Sequence, residues 1–253
     1  MSIHIVTHCY AISLPQYASH LIYQLSSLIT YKPEVPVRIT VCHSFTDHRT
    51  VNVINWFRDS CPELNLHTLM LDNNHLFRRS IGRNFCSDGK EELTWFTDVD
   101  HVFGRDCLDS LWKIYESAQM NYDAISLLFP KQIQIHKDHA TGDALIASEQ
   151  QPRLVSVDPS DFTVKHYNRA IGGIQIVPRW YLTQYGYLRD MEKYQTPSPD
   201  KNKPFPCFRD DVVFRSQCAE NGRILPIQLP NLYRLRHSKT TYQGQQHETL
   251  PLD

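Results

Sequence analysis

The hydrophobic positions of this chain change period as it proceeds. His4-Ile5-Val6-Thr7-His8-Cys9 is a short run rich in β-branched residues and predicts a first strand. Ser13-Leu14-Pro15 then punctuates, and Pro15 suits the first turn of a helix, where its missing N–H is not needed. Leu21, Ile22, Leu25, Leu28 and Ile29 recur at helical spacing and predict a helix to about Thr30. Val37 to Cys42 predicts a second strand, Thr46 to Ser60 a second helix, and Leu64 to Leu71 a third strand. A helix from about Leu76 to Cys86 and a fourth strand from Leu93 to Thr97 follow. Strands alternating with helices predict an α/β fold, a mostly parallel sheet flanked by helices. Ligands of such sheets gather beyond the carboxyl ends of the strands.

The pattern is less regular beyond residue 105. Ala124 to Phe129 predicts a strand, and Gln132 to Ile135 either extends it or starts a hairpin. Residues 137–152 look like a polar loop. Arg169 to Val177 predicts a glycine turn feeding a strand, and Arg179 to Tyr187 a short helix ending near Gly186. The run from Glu192 to Pro206 holds four prolines and much charge, so it predicts a mobile surface loop, which either closes over a bound donor or has no functional duty. Asp210 to Asn221 returns to helical spacing with Gly222 at the C-cap position, and Ile224 to Leu229 predicts a strand. Residues 239–253 form a polar C-terminal tail.

Composition narrows the reading. A chain of 253 residues, 41% of them hydrophobic, buries a core large enough for one α/β domain. Its 26 Lys+Arg against 27 Asp+Glu give a net charge of -1. No nucleic acid is therefore expected as partner, and any anion must be held locally. No apolar run is long enough to span a bilayer, and the N-terminus has no leader-like pattern. Seven scattered cysteines without a CxxC pair predict reduced, buried thiols. The expected location is cytoplasmic, with no transmembrane segment; peripheral membrane contact stays open.

The candidate chemistry begins with Asp98-Val99-Asp100, directly after the fourth strand. Alternation sends the two carboxylates to one side and Val99 into packing. Hard oxygen ligands at a strand exit can hold Mg²⁺ or Mn²⁺, and the ion can bridge a diphosphate; an Asp-x-Asp is also a common turn. Arg83-Asn84 lies on the preceding helix, where an Arg could meet a phosphate or lie on the surface. Arg209-Asp210-Asp211 opens a later helix, where carboxylates are favoured whether or not they react. Arg234-Leu235-Arg236-His237-Ser238 follows the last predicted strand, and His237 could complete a metal sphere.

Together these residues resemble the GT-A fold of glycosyltransferases, most closely the family 2 style, over about residues 3 to 238. The resemblance rests on the first strand with Pro15 and its helix, on Gly82-Arg83-Asn84 before Trp95-Phe96-Thr97-Asp98-Val99-Asp100, on Ile171-Gly172-Gly173, and on Arg209-Asp210-Asp211-Val212-Val213-Phe214-Arg215. It implies a single domain, 1–238, with a nucleotide-sugar-binding half (1–105) and an acceptor and catalytic half (106–238). It implies transfer of a sugar from a nucleotide-diphosphate donor, UDP by default, to a hydroxyl of a glycan or other acceptor. Donor binding would fall to Thr7, His8, Tyr10, Arg83, Asp98, Val99, Asp100, Gly172 and Gly173. Mn²⁺ or Mg²⁺ would be held by Asp98, Asp100 and His237. Asp211, or else Asp210, would be the base of an inverting transfer. Two features depart from the family pattern: His43-Ser44 follows the second strand where an acidic residue is common, and the late motif reads Arg-Asp-Asp-Val in place of Glu-Asp. Other readings are a sugar nucleotidyltransferase, for which Ala11 to Gln16 lacks the Gly-rich loop, a metal-dependent phosphohydrolase, and a non-catalytic carbohydrate-binding domain served by the 13 Tyr and 4 Trp.

Overall fold

A computed structural model of the chain describes residues 2–12, 14–77, 79–138, 151–188 and 210–236. The first half follows the predicted alternation: β1 (Ile3–His8), α1 (Gln16–Thr30), β2 (Val37–Ser44), α2 (His48–Ser60), β3 (Leu66–Leu71) and β4 (Leu93–Thr97). The helix expected over 76–86 is two short ones, α3 (Asn73–Phe77) and α4 (Arg79–Phe85). Then come β5 (His101–Phe103), α5 (Cys107–Asn121), β6 (Ile125–Pro130), β7 (Gln132–His136), β8 (Phe162–His166), β9 (Ile174–Pro178), α6 (Arg179–Tyr185), α7 (Asp210–Glu220), β10 (Arg223–Ile227) and β11 (Leu232–Arg234).

The strands form two sheets. A seven-stranded sheet runs β10-β6-β9-β4-β1-β2-β3, and a four-stranded one runs β5-β11-β7-β8. The large sheet is parallel apart from β9, which lies antiparallel between β4 and β6. Hydrophobic pattern carries no information on strand direction, so this reversal was not legible in the sequence. β1 is central, paired with β2 and β4, and every one of its residues is buried. That is why it reads as a near-continuous run instead of an alternation. α1 covers it with Leu21, Ile22, Leu25 and Leu28, the residues whose spacing predicted the helix.

Several elements differ from expectation for local reasons. α5 was not anticipated, although Leu108, Leu111, Tyr115 and Ala118 recur on its buried side. β8 shows no alternation to find, since only Phe162 is buried. α2 starts two residues later than predicted because Asp47 caps it, accepting from the Thr50 N–H. Gly186 ends α6 as expected, at φ 67°, with its N–H on the Leu182 carbonyl. Gly222 is not in the left-handed region; it permits close packing, since a Cβ there would stand 2.5 Å from the Ala124 carbonyl oxygen. Among the described residues all six cysteines are free and buried, and no helix is long and apolar enough to cross a membrane. The segment 192–206, most of the loop at 137–152, Arg209, His237 and the tail 239–253 lie outside the described residues.

Candidate active site

The carboxyl ends of β1 and β4 and the start of antiparallel β9 meet at one corner of the large sheet. The chain leaves β4 through Asp98, Val99 and Asp100 before turning into β5. Val99 packs into the core, 2% exposed, as the alternation predicted. Gln24 of α1 holds this turn from behind: its side-chain amide donates to the Asp98 and His101 carbonyls, both at 3.1 Å. The Leu235 N–H donates to the Asp100 carbonyl from the end of β11.

Each carboxylate faces a guanidinium. Arg79 Nη1 lies 2.5 Å from Asp98 Oδ1, and Arg234 Nε lies 2.9 Å from Asp100 Oδ2. Burial by itself would raise both carboxyl pKa values. Arg79 overrides it at Asp98, and Arg234 with His101 at Asp100, so both stay ionised, Asp100 well below the usual carboxylate range. His101 Nδ1 stands 3.1 Å from Asp100 Oδ1 and 3.3 Å from the Asp98 carbonyl, and Oδ1 is buried. The pair thus presents hard oxygens, one of them facing only the His101 imidazole, and this donor set fits a divalent cation such as Mn²⁺ or Mg²⁺. His237, expected as third ligand, lies outside the described residues, and among those described no cluster of three potential ligands forms.

The glycine pair sits against these carboxylates. A Cβ at Gly173 would stand 2.6 Å from His101 Cε1 and 2.8 Å from Asp98 Oδ2, so only glycine lets β9 approach Asp98 this closely. A Cβ at Gly172 would lie 3.7 Å from both Arg79 Nη1 and the Asp211 Cβ. Gly172 therefore marks where the loop before β9, the α4 arginine and the first turn of α7 converge. Asp210 and Asp211 both stand in that first turn, as predicted.

Arg83, expected at a donor phosphate, points inward and is 1% exposed. It donates to the Gly172 carbonyl at 2.8 Å, to the Tyr187 hydroxyl at 2.5 Å and to Gln175 Oε1 at 3.2 Å. Gln175 in turn donates to the Asp211 carbonyl at 3.2 Å. Burial pushes the Tyr187 phenol up to about 12, so it stays neutral and donates to Gln175. Asn84 completes the frame, its amide donating to the Leu188 carbonyl. This network ties α4 to β9 and α7. The arginine that faces Asp98 is Arg79, one helical turn earlier.

The end of β1 is more enclosed than expected. Thr7 and His8 are buried, and among the described residues neither Thr7 Oγ1 nor either His8 ring nitrogen has a hydrogen-bond partner. Burial, then Arg83 and Arg79, hold His8 well below its ordinary pKa, so it is neutral. A Cβ at Gly82 would collide with His8 Nε2, so α4 crosses β1 at glycine. Tyr10 stacks loosely beside His8, ring centroids 6.3 Å apart, within electrostatic reach of Arg79 and Asp98. The carboxylate nearest the end of β2, Asp47, is engaged in capping α2.

No family model matches the sequence, and no curated protein matches it. Solved structures do. The chain is similar to the crystal structure of S. aureus TarS, with 13% identity and a TM-score of 0.58, over 92% of this chain and 36% of that one. It is similar to TarS 1-349 in complex with UDP-GlcNAc at 12% identity and a TM-score of 0.57, over 96% and 61% of the respective chains. A mannosyltransferase of Pyrobaculum calidifontis, PcManGT in complex with GDP-Man and Mn2+, aligns at 12% identity and a TM-score of 0.51, over 95% and 58%. The fold is that of GT-A glycosyltransferases. The chain spans 36% to 61% of the length of those neighbours. The comparison bears on the fold; the chemistry has to be argued from the corner where Asp98, Asp100, Arg79, Gly172, Gly173 and Asp211 meet.

Proposed function

We propose that this protein transfers a sugar from a nucleotide-diphosphate sugar to a hydroxyl of a glycan or other acceptor, inverting the anomeric centre. The observation that carries the reading is the convergence, at the carboxyl end of the parallel strands, of an ionised Asp98–Asp100 pair, the Arg79 guanidinium and the Asp211 turn around Gly172-Gly173. UDP is the proposed nucleotide, because the TarS structures that resemble this fold include complexes with UDP-GlcNAc and with UDP.

In this reading residues 1–105 bind the donor and 106–238 bind the acceptor. Thr7, His8 and Tyr10 border the nucleoside at the end of β1, and Val99 keeps the carboxylate turn seated in the core. Asp98 and Asp100, with His237, would hold Mn²⁺ or Mg²⁺, and the ion would supply positive charge to the diphosphate as negative charge grows on the leaving group. Arg79 serves the same end from the protein: its guanidinium, at the mouth of the site, exchanges Asp98 for a diphosphate oxygen. Arg83 acts as a positioning residue through the Gly172 carbonyl and Gln175. Gly172 and Gly173 bring bare backbone to the donor sugar. The Asp211 carboxylate, opposite the leaving diphosphate, takes the proton of the attacking acceptor hydroxyl, with Asp210 the alternative. One base facing one leaving group inverts the centre.

Calorimetric titration with UDP-sugars and Mn²⁺, together with turnover assays, tests this. Asp98→Asn and Asp100→Asn are expected to abolish Mn²⁺-dependent nucleotide binding. Asp211→Asn should keep binding and lose turnover by about 10²–10⁴-fold, the range for removing a general base. Unchanged turnover in Asp211→Asn, or retention of anomeric configuration in the product's proton NMR couplings, would refute the assigned base.

A further inference from the structure

A cavity of about 350 Å³ opens at the other end of the sheet from the carboxylate corner. Trp180, Tyr115, Tyr122, Gln119 and Asp123 line it, around the start of β6 at Ile125. β9 separates the two places: Gly173, just before its first residue, touches Asp98, whereas Trp180 lies just past its last. Five strand residues put the cavity roughly 17 Å from the carboxylate corner.

The walls are held rigidly. The Trp180 indole N–H donates to the Ile125 carbonyl at 3.0 Å, which fixes a ring still 37% exposed. The Tyr122 ring, 40% exposed, is backed on one face by the Arg223 guanidinium at 4.7 Å. Gln119 donates to the Tyr115 hydroxyl at 2.8 Å and sets the inner wall. Ala124, also in the lining, is in the left-handed region at φ 49°, a conformation an alanine adopts only when its surroundings impose it. Those surroundings are visible: the Arg223 N–H donates to the Ala124 carbonyl at 2.8 Å, and Gly222 is the residue that lets that carbonyl come so close. Burial of the Tyr115 phenol pushes it up to about 12, so it offers a neutral hydroxyl.

Two exposed aromatic faces locked by hydrogen bonding and cation–π contact, beside an amide, a carboxylate and a phenol, match one ligand chemistry. A sugar ring has a face of C–H groups that stacks on the electron-rich face of an aromatic ring, and an edge of hydroxyls that pairs with amides and carboxylates. We infer that this cavity is a saccharide-binding site, remote from the carboxylate corner, which takes one ring of a neutral glycan between Trp180 and Tyr122. Because the rings are already fixed, little ordering opposes binding. The site does not depend on sugar transfer: a protein inactive as a transferase would still bind glycan here.

The test is a titration of the full chain with glucose, galactose, mannose, N-acetylglucosamine and their short oligomers. It is followed by tryptophan fluorescence and by saturation-transfer NMR. Saturable binding of at least one sugar is expected, weakened at least tenfold by Trp180→Ala and by Tyr122→Ala. Tyr122→Ala alters an exposed ring and leaves the core intact, so it reports on binding even if Trp180→Ala perturbs folding. Asp98→Asn should leave this binding unchanged, which separates the cavity from the donor corner. Binding of no sugar in the panel, binding that survives Tyr122→Ala and Trp180→Ala in the folded protein, or binding lost with Asp98→Asn would each overturn the assignment.

Discussion

Gly173 and Gly172 are adjacent and chemically identical, yet the structure gives them different tolerances. A methyl group at Gly173 collides with His101 and the Asp98 carboxylate, both held by neighbours that cannot retreat; at Gly172 it would meet only ordinary van der Waals contacts. Gly173→Ala should therefore destabilise the fold by about 1–3 kcal/mol, the usual cost of overpacking, and displace Asp98. Gly172→Ala should leave the unfolding midpoint unchanged, and thermal melts of the two variants check the contrast. His4 makes a second residue-level prediction. Arg38 can only donate to its Nδ1, at 3.0 Å, so the ring is neutral with its proton on Nε2, which lies 2.8 Å from Thr40 Oγ1. Burial, then Arg38, lower its pKa from 6.5 to about 3. Between those values the unfolded chain binds a proton that the folded one does not, so stability falls as pH drops from 6.5 toward 3. The slope is up to about 1.4 kcal/mol per pH unit from this group. Buried, neutral His8 acts in the same direction. Urea titrations between pH 4 and 8 should show this slope, shallower by one proton in His4→Gln.

At the level of elements, α1 does more than cover β1. Gln24, fully buried, reaches across to the two carbonyls that bracket the carboxylate turn, and Ser27 Oγ accepts the Phe103 N–H one helical turn on. The helix therefore sets where Asp98 and Asp100 stand. Gln24→Leu keeps the side chain's bulk but removes the amide donor: the Asp98 carbonyl still accepts from the His101 N–H and the Thr97 hydroxyl, whereas the His101 carbonyl loses its side-chain donor, at about 1–3 kcal/mol for a buried polar group left unpaired. The expected result is a lower unfolding midpoint and weaker Mn²⁺-dependent nucleotide binding, although Gln24 is a positioning residue that touches no ligand. Unchanged nucleotide affinity in a destabilised protein would confine its role to packing.

For the whole molecule, the decisive contact joins the two sheets. Arg234 ends β11 in the small sheet and pairs with Asp100 at the exit of β4 in the large one, 134 residues earlier in the chain. Removing the guanidinium leaves Asp100 buried beside His101 with its main counter-charge gone. Arg234→Leu should destabilise by about 3–5 kcal/mol, the range for breaking a buried pair by deleting one partner. The pH dependence has a definite sign. A carboxyl depressed in the folded state contributes stability above its unfolded pKa near 3.8, and the contribution is lost as pH falls through the folded value. Without Arg234 burial dominates, the Asp100 pKa rises, and acid sensitivity moves to higher pH. Denaturation of wild type and Arg234→Leu from pH 3 to 7 checks both the magnitude and the shift.

What the chain determined on its own is its local geometry. The spacing of Leu21, Ile22, Leu25 and Leu28 already contained α1, the β-branched run contained β1, and Trp95-Phe96-Thr97 followed by Asp98-Val99-Asp100 placed two carboxylates at a strand exit with the middle residue inward. These are properties of a few consecutive residues, and backbone periods of 2 and 3.6 carry them. The direction of β9, the pairing of Asp98 with Arg79 and of Asp100 with Arg234, the clamp from Gln24 and the inward turn of Arg83 belong to the tertiary structure alone. Each joins residues brought together by packing, and charge and hydrogen bonding act through space with a reach of a few ångströms. No periodicity along the sequence records which distant side chain will arrive within that reach.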